Sequence, residues 1–470
     1  MQIYNTLSKK KEQLVPITPG KIKMYTCGQT VYNDIHMGNA RFYVVFDAIR
    51  RYLEYKGYEV DFVQNFTDID DKLIQRAEEE KTTVQALADK YISHTLEDLK
   101  MLNVKPATHN PKATEEVTEI MAMIEKLIET GNAYEATGSV YFDTTTAPNY
   151  GKLAKKNIDD LIAGIRVEVS KEKRNPADFI LWKPAKPKEP AWKSPWGLGR
   201  PGWHIECSAM VKKYLGKEID IHGGGSDLIF PHHENEIAQS EAANGCNYAR
   251  VWMHSGMITS NHKKMSKSQG NFQTLREVAK KYPYDVIRFF LVSGHYRMPM
   301  ELTDKVMEAA QQGFNRIKNC YRNLLHEEER IAADINNQGM CLHTDENVRT
   351  NADRFVQEFI KAMDDDFNTA DAITAIYELV SYINISANTT RSLSTCEHLR
   401  EVLEHLCDIL GITLAQADQG DDAEIELLVA ARQTARAAKN YAESDRIRDQ
   451  LLAMGIILED TPNGARWHKA

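Results

Sequence analysis

Along residues 21–67 the hydrophobic pattern switches from a strand period to a helical one and back. KIKMYTC alternates apolar and polar positions, which predicts a strand ending at Cys27. A glycine-containing loop follows. NARFYVVFDAIRRYLEYKG then places apolar residues at helical spacing and closes on Gly57, which predicts a helix. YEVDFVQNFT returns to a strand pattern. Strand, glycine loop, helix and strand make a βαβ unit, and such units bind ligands at the C-terminal ends of their strands.

Further along, residues 71–130 read as charged helices. Residues 131–193 differ: YEATGSVYFD and a Lys/Pro-rich stretch predict an inserted module of small strands and exposed loops. EIDIHGGGSDLIFPHHENEIAQSEAANG resumes strand, glycine turn and helix, so the α/β domain is expected to be split. Residues 251–310 read as a linker carrying NHKKMSKSQGN. From 311 to 412 the pattern is helical and nearly strand-free, as in a bundle. DQGDDAE at 418–424 marks a hinge, and 425–470 ends in a hairpin around Asn463-Gly464. The borders expected from this pattern are 1–115 and 194–250 for the two halves of the α/β domain, 116–193 for the insertion, 251–310 for the linker, 311–417 for the bundle and 425–470 for a terminal module.

Composition narrows the class. The chain has 470 residues, too many for one ordinary core, with 42% hydrophobic and 27% charged residues. No apolar run reaches membrane-spanning length, and the N-terminus lacks the pattern of a secretory signal. Seven scattered cysteines predict no disulfide framework and a reducing cytoplasm. The net charge of −9 argues weakly against a nucleic-acid partner, but it hides local basic segments. Residues 151–193 hold 11 Lys/Arg against 6 Asp/Glu, and 431–470 hold 7 against 5.

Four groups of residues can carry chemistry. Cys27, Cys207, His232 and Glu236 make a possible zinc set if the split halves form one sheet, since His232 and Glu236 share a helix face. Spacing leaves His233 and His204 open as alternatives, and each cysteine alone reads as buried filler. Asp34-Ile-His36-Met-Gly38-Asn39 precedes a helix and offers donors to phosphates, with Gly38 allowing close approach. Lys264-Met-Ser-Lys267-Ser268 can reach the β- and γ-phosphates of a nucleotide, or simply be a solvated basic loop. Neither segment has the form GxxxxGK[ST], so a P-loop hydrolase is not indicated. His222-Gly-Gly224-Gly-Ser-Asp227 lets the backbone press on a planar ligand, with Asp227 toward a ribose and His222 toward adenine. Thr67 and Trp203 can line an amino-acid pocket. Trp467, beside Arg466, can stack on an unpaired base or pin the chain end.

These pieces, in this order, resemble the cysteinyl-tRNA synthetases of class I over essentially the whole length. The resemblance is carried by His36-Met-Gly-Asn39, Lys264-Met-Ser-Lys267-Ser268, TCGQTVYNDIHMGNAR, GRPGWHIECSAM and DIHGGGSDLIFPHHENEIAQSEA. It implies a split Rossmann-type parallel-sheet catalytic domain with an inserted module, then a helical bundle and a small anticodon-binding domain. It implies one Zn2+ on Cys27, Cys207, His232 and Glu236. It places His36, Gly38, Asn39, His222, Gly224, Asp227, Lys264 and Lys267 around ATP with its Mg2+. It puts Cys27, Thr67 and Trp203 around cysteine, and Arg466 and Trp467 on tRNA. The first signature departs from the class form His-Ile-Gly-His at Met37 and Asn39, the latter as seen in this family. The implied partners are tRNA(Cys), ATP and L-cysteine, with a cytoplasmic monomer and no membrane. A cysteine:amino-sugar ligase of the mycothiol type shares the catalytic half but would lack the segment 425–470. A noncatalytic RNA-binding derivative would not need intact ligand and phosphate-loop residues. No separate site for a persulfide-forming activity is visible.

Overall fold

A computed structural model describes residues 1–155, 172–187, 189–260, 263–264, 273–338, 345–386, 392–414, 421–461 and 464–469. The chain divides into two compact units. One takes in Met1–Met307, Glu358–Ile373 and Ile409–Gly411, the other Glu308–Gln357, Thr374–Asp408 and Ile412–Ala470.

The first unit begins with a hairpin of β1 (Gln2–Asn5) and β2 (Lys10–Gln13). Then come β3 (Lys21–Thr26), α1 (Met37–Tyr55) and β4 (Glu59–Gln64), the expected βαβ unit. Lys56 caps α1, and Gly57 follows at φ +87°, a conformation that glycine adopts without a Cβ penalty. Helices α2 (Asp71–Glu79), α3 (Val84–Met101) and α4 (Val117–Glu129) come next.

The insertion is a five-stranded antiparallel sheet. Its strands are β5 (Ala133–Ala136), β6 (Ser139–Phe142), β7 (Phe179–Pro184), β8 (Trp192–Ser194) and β9 (Gly197–Pro201), in the order β5-β6-β7-β9-β8. Thr137 and Gly138, at φ +53° and +79°, make the turn between β5 and β6, as a two-residue hairpin loop with a tight twist requires. Ile120, Ile124 and Leu127 of α4 pack on Val140, Phe142, Leu181 and Trp182 of this sheet. The sheet continues to Pro201, past the border at 193 expected from composition, because GLGRP pairs with β7 through the Trp182–Pro201 register.

The α/β layer resumes with α5 (Trp203–Tyr214), β10 (Ile219–Gly225), α6 (Glu234–Asn244) and β11 (Ala249–Ser255). The four parallel strands lie in the order β11-β10-β3-β4, so the halves on either side of the insertion build one sheet. β11 falls largely where a linker was expected from residue 251. ARVWMHS is buried almost throughout and shows no alternation, the pattern of a strand covered on both faces. A smaller sheet follows from β12 (Ile258–Ser260), β13 (Lys263–Lys264) and β14 (Met300–Glu301), with helices α7 (Leu275–Ala279) and α8 (Tyr284–Val292) between β13 and β14.

The remaining long helices are α9 (Asp304–Gln338), α10 (Glu346–Asp364), α11 (Thr369–Ser386) and α12 (Leu393–Ile409), the helical bundle that the periodicity predicts. Within the second unit Arg400 pairs with Glu328 at 2.9 Å, and the Tyr382 hydroxyl donates to the Val348 carbonyl at 3.3 Å. The chain then forms α13 (Asp421–Ala437), α14 (Tyr441–Ala453) and the hairpin β15 (Ile456–Thr461) and β16 (Gly464–Lys469). Ile425, Val429, Ile447, Leu451 and Ile456 make its core. Asn463, at the expected turn, lies outside the described residues.

Candidate active site and metal centre

A cleft of about 310 Å3 opens at the C-terminal ends of the parallel strands. Cys27, His36, Gly38, Asn39, Trp203 and Asp227 all line it. His36 caps α1: its Nδ1 accepts the Asn39 main-chain N–H at 3.1 Å, while Asn39 Oδ1 accepts the His36 N–H at 3.3 Å. This reciprocal cap fixes both side chains at the positive end of a 19-residue helix. Gly38 is required there because a Cβ would lie 2.9 Å from His36 Cε1.

Cys27 directly follows β3, Cys207 sits in α5, and His232 and Glu236 flank the start of α6. Their ligand atoms lie within 4.8 Å of one another, and all four residues are buried. Cys27 Sγ is 3.6 Å from Cys207 Sγ and 3.1 Å from Glu236 Oε1. His232 Nε2 is 3.6 Å from Cys207 Sγ and 3.1 Å from Glu236 Oε1. A tetrahedral zinc ion separates two sulfurs by about 3.8 Å and a sulfur from a nitrogen by about 3.5 Å. The donor set and its spacing therefore fit zinc.

The two oxygens of Glu236 have different surroundings. Oε1 faces Cys27 and His232, while Oε2 is held by His222 Nε2 at 3.0 Å and by the Tyr248 hydroxyl at 2.9 Å. His232 is fixed at its other nitrogen, Nδ1, by His204 Nδ1 at 2.9 Å, and Trp203 stacks on its ring at 4.2 Å. Ligand orientation of this kind sets both metal affinity and tautomer.

Charge in the cluster is strongly perturbed. Burial pushes the Cys27 thiol well up, reinforced by Cys207 and Glu236. Burial also opposes ionisation of Cys207, but hydrogen bonds from Cys27 and His232 bring it down to about 6. Burial lowers His232, yet the Glu236 carboxylate and Cys207 lift it to about 10. Glu236 is held well below the carboxylate range by His222 and His232, against its burial. Without an ion the cluster already favours a thiolate and a carboxylate beside a cation.

The candidates that spacing left open have distinct surroundings. His233 turns its Nδ1 to His254 Nε2 at 2.8 Å, and its Nε2 stands 4.0 Å from Glu236 Oε1. A second grouping of Cys27, His222, His233 and Glu236 shares two members with the first but has only one sulfur. His222 is not among the residues lining the cleft. It is fully buried, stacked on Trp252 at 4.3 Å and bonded to Glu236, because GGG ends a central strand whose side chains point into the core. Gly224 likewise lies against His233, whose Cε1 would be 2.4 Å from a Cβ there. Thr67 is buried and donates to Glu206 Oε2 at 3.0 Å, and it is not among the residues lining the cleft. The Lys264 backbone lies in β13, and Lys267 and Ser268 fall outside the described residues. The Arg466 backbone lies in β16. Trp467 packs on the terminal core with the Arg322 guanidinium 5.2 Å over its ring.

Tyr248 and Glu206 escaped the sequence reading. Glu206 had a signal in principle, an acid beside Cys207 in a helix of small and apolar residues. Tyr248 had none, because a lone tyrosine after a turn is commonplace.

Comparison with known proteins follows the same lines. Residues 13–312 match the family of class I (C) tRNA synthetase catalytic domains, 358–415 the DALR domain and 418–467 the cysteinyl-tRNA ligase anticodon binding domain. The cysteine–tRNA ligases of Lachnospira eligens and Lachnoclostridium phytofermentans are 50% and 51% identical, each over 100% of both chains. The chain belongs to the cysteinyl-tRNA synthetase family. Among solved structures, Mycobacterium tuberculosis methionyl-tRNA synthetase with methionyl-adenylate aligns at TM-score 0.59 and 14% identity, covering 83% of this chain and 90% of that one. The leucyl-tRNA synthetase of Agrobacterium radiobacter, in a ternary complex, aligns at TM-score 0.59 and 12% identity, covering 85% and 86%. At such identities the shared feature is the fold. Among the described residues, no helix is long and apolar enough to cross a membrane.

Proposed function

We infer that this chain ligates L-cysteine to the 3′-terminal adenosine of tRNA(Cys) at the expense of ATP, through a cysteinyl-adenylate, releasing AMP and pyrophosphate. One observation carries the reading: the Cys27, Cys207, His232 and Glu236 donor set opens through Cys27 into the cleft that His36 and Asn39 line.

In the first step the cysteine carboxylate attacks the α-phosphorus of Mg2+-ATP and pyrophosphate leaves. The protein supplies no nucleophile; its part is to position the reactants and stabilise the developing charge. His36 and Asn39, with the N–H groups at the start of α1, face the phosphates. Lys264 and Lys267 neutralise the leaving pyrophosphate, and Asp227 accepts hydrogen bonds from the ribose. Trp203, 39% exposed at the cleft, covers the amino-acid end. In the second step the terminal 2′-hydroxyl of the tRNA attacks the adenylate carbonyl and AMP leaves.

A zinc ion on Cys27, Cys207, His232 and Glu236 supplies a soft Lewis acid that prefers a thiolate to a serine hydroxyl. That preference gives the discrimination a shape-only pocket lacks, so selection needs no separate hydrolytic step. Thr67, whose hydroxyl donates to Glu206, belongs with Cys27 and Trp203 to the amino-acid end of the site. The segments 1–115 and 202–255 serve as catalytic domain, with 116–201 inserted, 256–310 as the stem-contact segment, 311–417 as the bundle and 425–470 as the anticodon reader through Arg466 and Trp467. The setting is the cytoplasm and the working form a monomer.

The test is ATP-dependent charging of tRNA with cysteine and with serine. Charging with cysteine alone is expected. Adenylate formation without transfer to tRNA would point instead to ligation onto another acceptor, such as an amino sugar.

A further inference from the structure

Arg41 lies two residues beyond Asn39 on α1 and is fully buried. Its Nη1 donates to the carbonyls of Gly256 and Met257, each at 3.1 Å. Its Nη2 donates to those of His295 at 3.1 Å, Tyr296 at 3.3 Å and Met298 at 2.5 Å. Its Nε has no partner. Among the described residues no carboxylate is paired with Arg41. Arg288, the other fully buried arginine, shows the usual arrangement: it serves carbonyls of Leu102, Asn103 and Leu410, and Asp47 meets its charge. Burial brings Arg41 down to about 10, so it remains a cation at neutral pH.

Burying a guanidinium without a counter-ion is unfavourable, and a well-packed apolar side chain generally stabilises such a place as well or better. Its five acceptors show what the charge does instead. They belong to two layers of main chain. Gly256 and Met257 connect β11 to β12 and line the cleft. His295 to Met298 lead into β14. The layers are already in contact, with the Gly256 N–H on the Tyr296 carbonyl at 2.7 Å and the Met300 N–H on that of Met257 at 3.0 Å. A Cβ on Gly256 would lie 2.4 Å from the Met298 carbonyl oxygen. The guanidinium therefore pins both layers to α1, one turn from the His36–Asn39 cap.

We propose that Arg41 is a positioning residue for the nucleotide end of the cleft, holding the Gly256–Met257 wall in register with the helix end that presents His36 and Asn39. The acceptors of this brace include neither Cys27 nor Trp203, which line the cysteine end. The proposal rests on the reading of the cleft as an ATP and cysteine site.

The experiment compares the unaltered chain with Arg41→Lys and Arg41→Met. Lysine keeps the charge but places one nitrogen where a fork spans five carbonyls. ATP binding is read by calorimetry without amino acid, and KM values by cysteine-dependent pyrophosphate exchange. Both variants are expected to weaken ATP binding and raise its KM by about tenfold or more. The KM for cysteine should stay within about twofold, and zinc per chain should be unchanged. Equal rises in both KM values, or a lower Tm with unchanged ATP binding, would overturn the proposal. Gly256→Ala displaces the wall from the other side and covers the case in which the Arg41 variants do not fold. It should show the same ATP-selective shift, and unchanged ATP affinity in that variant would equally overturn the brace. Normal ATP binding without cysteine-dependent exchange in the unaltered chain would fault the functional reading and leave the brace to be judged on ATP binding.

Discussion

The sulfurs of Cys27 and Cys207 lie 3.6 Å apart although 180 residues separate them in the chain. Cys207→Ser replaces one soft donor by a hard one. Zinc per chain should fall, and the preference for cysteine over serine in pyrophosphate exchange should drop by at least about tenfold. Metal analysis together with exchange kinetics checks this. Retained zinc with unchanged selectivity would remove the basis for metal-dependent selection.

The Tyr248 hydroxyl donates to Glu236 Oε2 of the same cluster at 2.9 Å. Tyr248→Phe keeps the ring and removes the hydroxyl. Zinc affinity, measured by competition with a chelator, is expected to weaken by about 10–100-fold. An unaltered affinity would mean that His222 alone orients the carboxylate.

At the other end of the cleft, His36→Ala and Asn39→Ala each remove half of a reciprocal cap. Adenylate formation should slow by about 10²–10³-fold while zinc content is unchanged. Each substitution should also cost about 1 kcal/mol in stability, seen in urea unfolding. A stability loss without a rate loss would reduce both residues to helix caps.

Asp47 accepts from Arg51 Nε at 2.9 Å, from Arg288 Nη2 at 2.5 Å and from the Lys105 N–H at 2.8 Å, all out of water. Asp47→Asn removes the carboxylate charge that the Arg51 and Arg288 guanidiniums share. The expected cost is about 3–5 kcal/mol in unfolding free energy. A change under about 1 kcal/mol would show that the carbonyls around Arg288 suffice.

His254 is neutral in the folded chain. Burial, and then the charge of His222, bring it down to about 3. In the unfolded chain it titrates near about 6.5. Between those values the unfolded state carries a proton that the folded state lacks, so stability is complete above pH 6.5 and falls as pH drops, with the loss saturating near pH 3. Tm should therefore fall less steeply between pH 7 and 5 in His254→Gln than in the unaltered chain. Parallel slopes would place the acid sensitivity elsewhere.

How far the sequence could be read depended on whether a residue's role is local. The βαβ unit and the helices of the bundle follow from neighbours a few positions away, and they appear where periodicity put them. β11 did not, because a strand covered on both faces has no alternating pattern to reveal it. Spacing could not choose between His232 and His233, since adjacent residues at a helix entrance differ only in the direction each ring takes. That choice is made by His204 and His254, which hold one ring each. His222 was assigned to adenine from a glycine-rich motif, but which face of β10 it occupies depends on the sheet around it. The bond from Thr67 to Glu206 joins residues 139 positions apart, beyond the reach of local pattern.

The donors of the metal centre come from both sides of the insertion: Cys27 ahead of it, and Cys207, His232 and Glu236 behind. A ribosome that has made only the first half has exposed one sulfur and no site. Metal loading must wait until the segment through Glu236 has left the exit tunnel and its strand has joined the sheet. Capture of the ion is thus a late event in the birth of the chain, and it reports that the two halves have found each other.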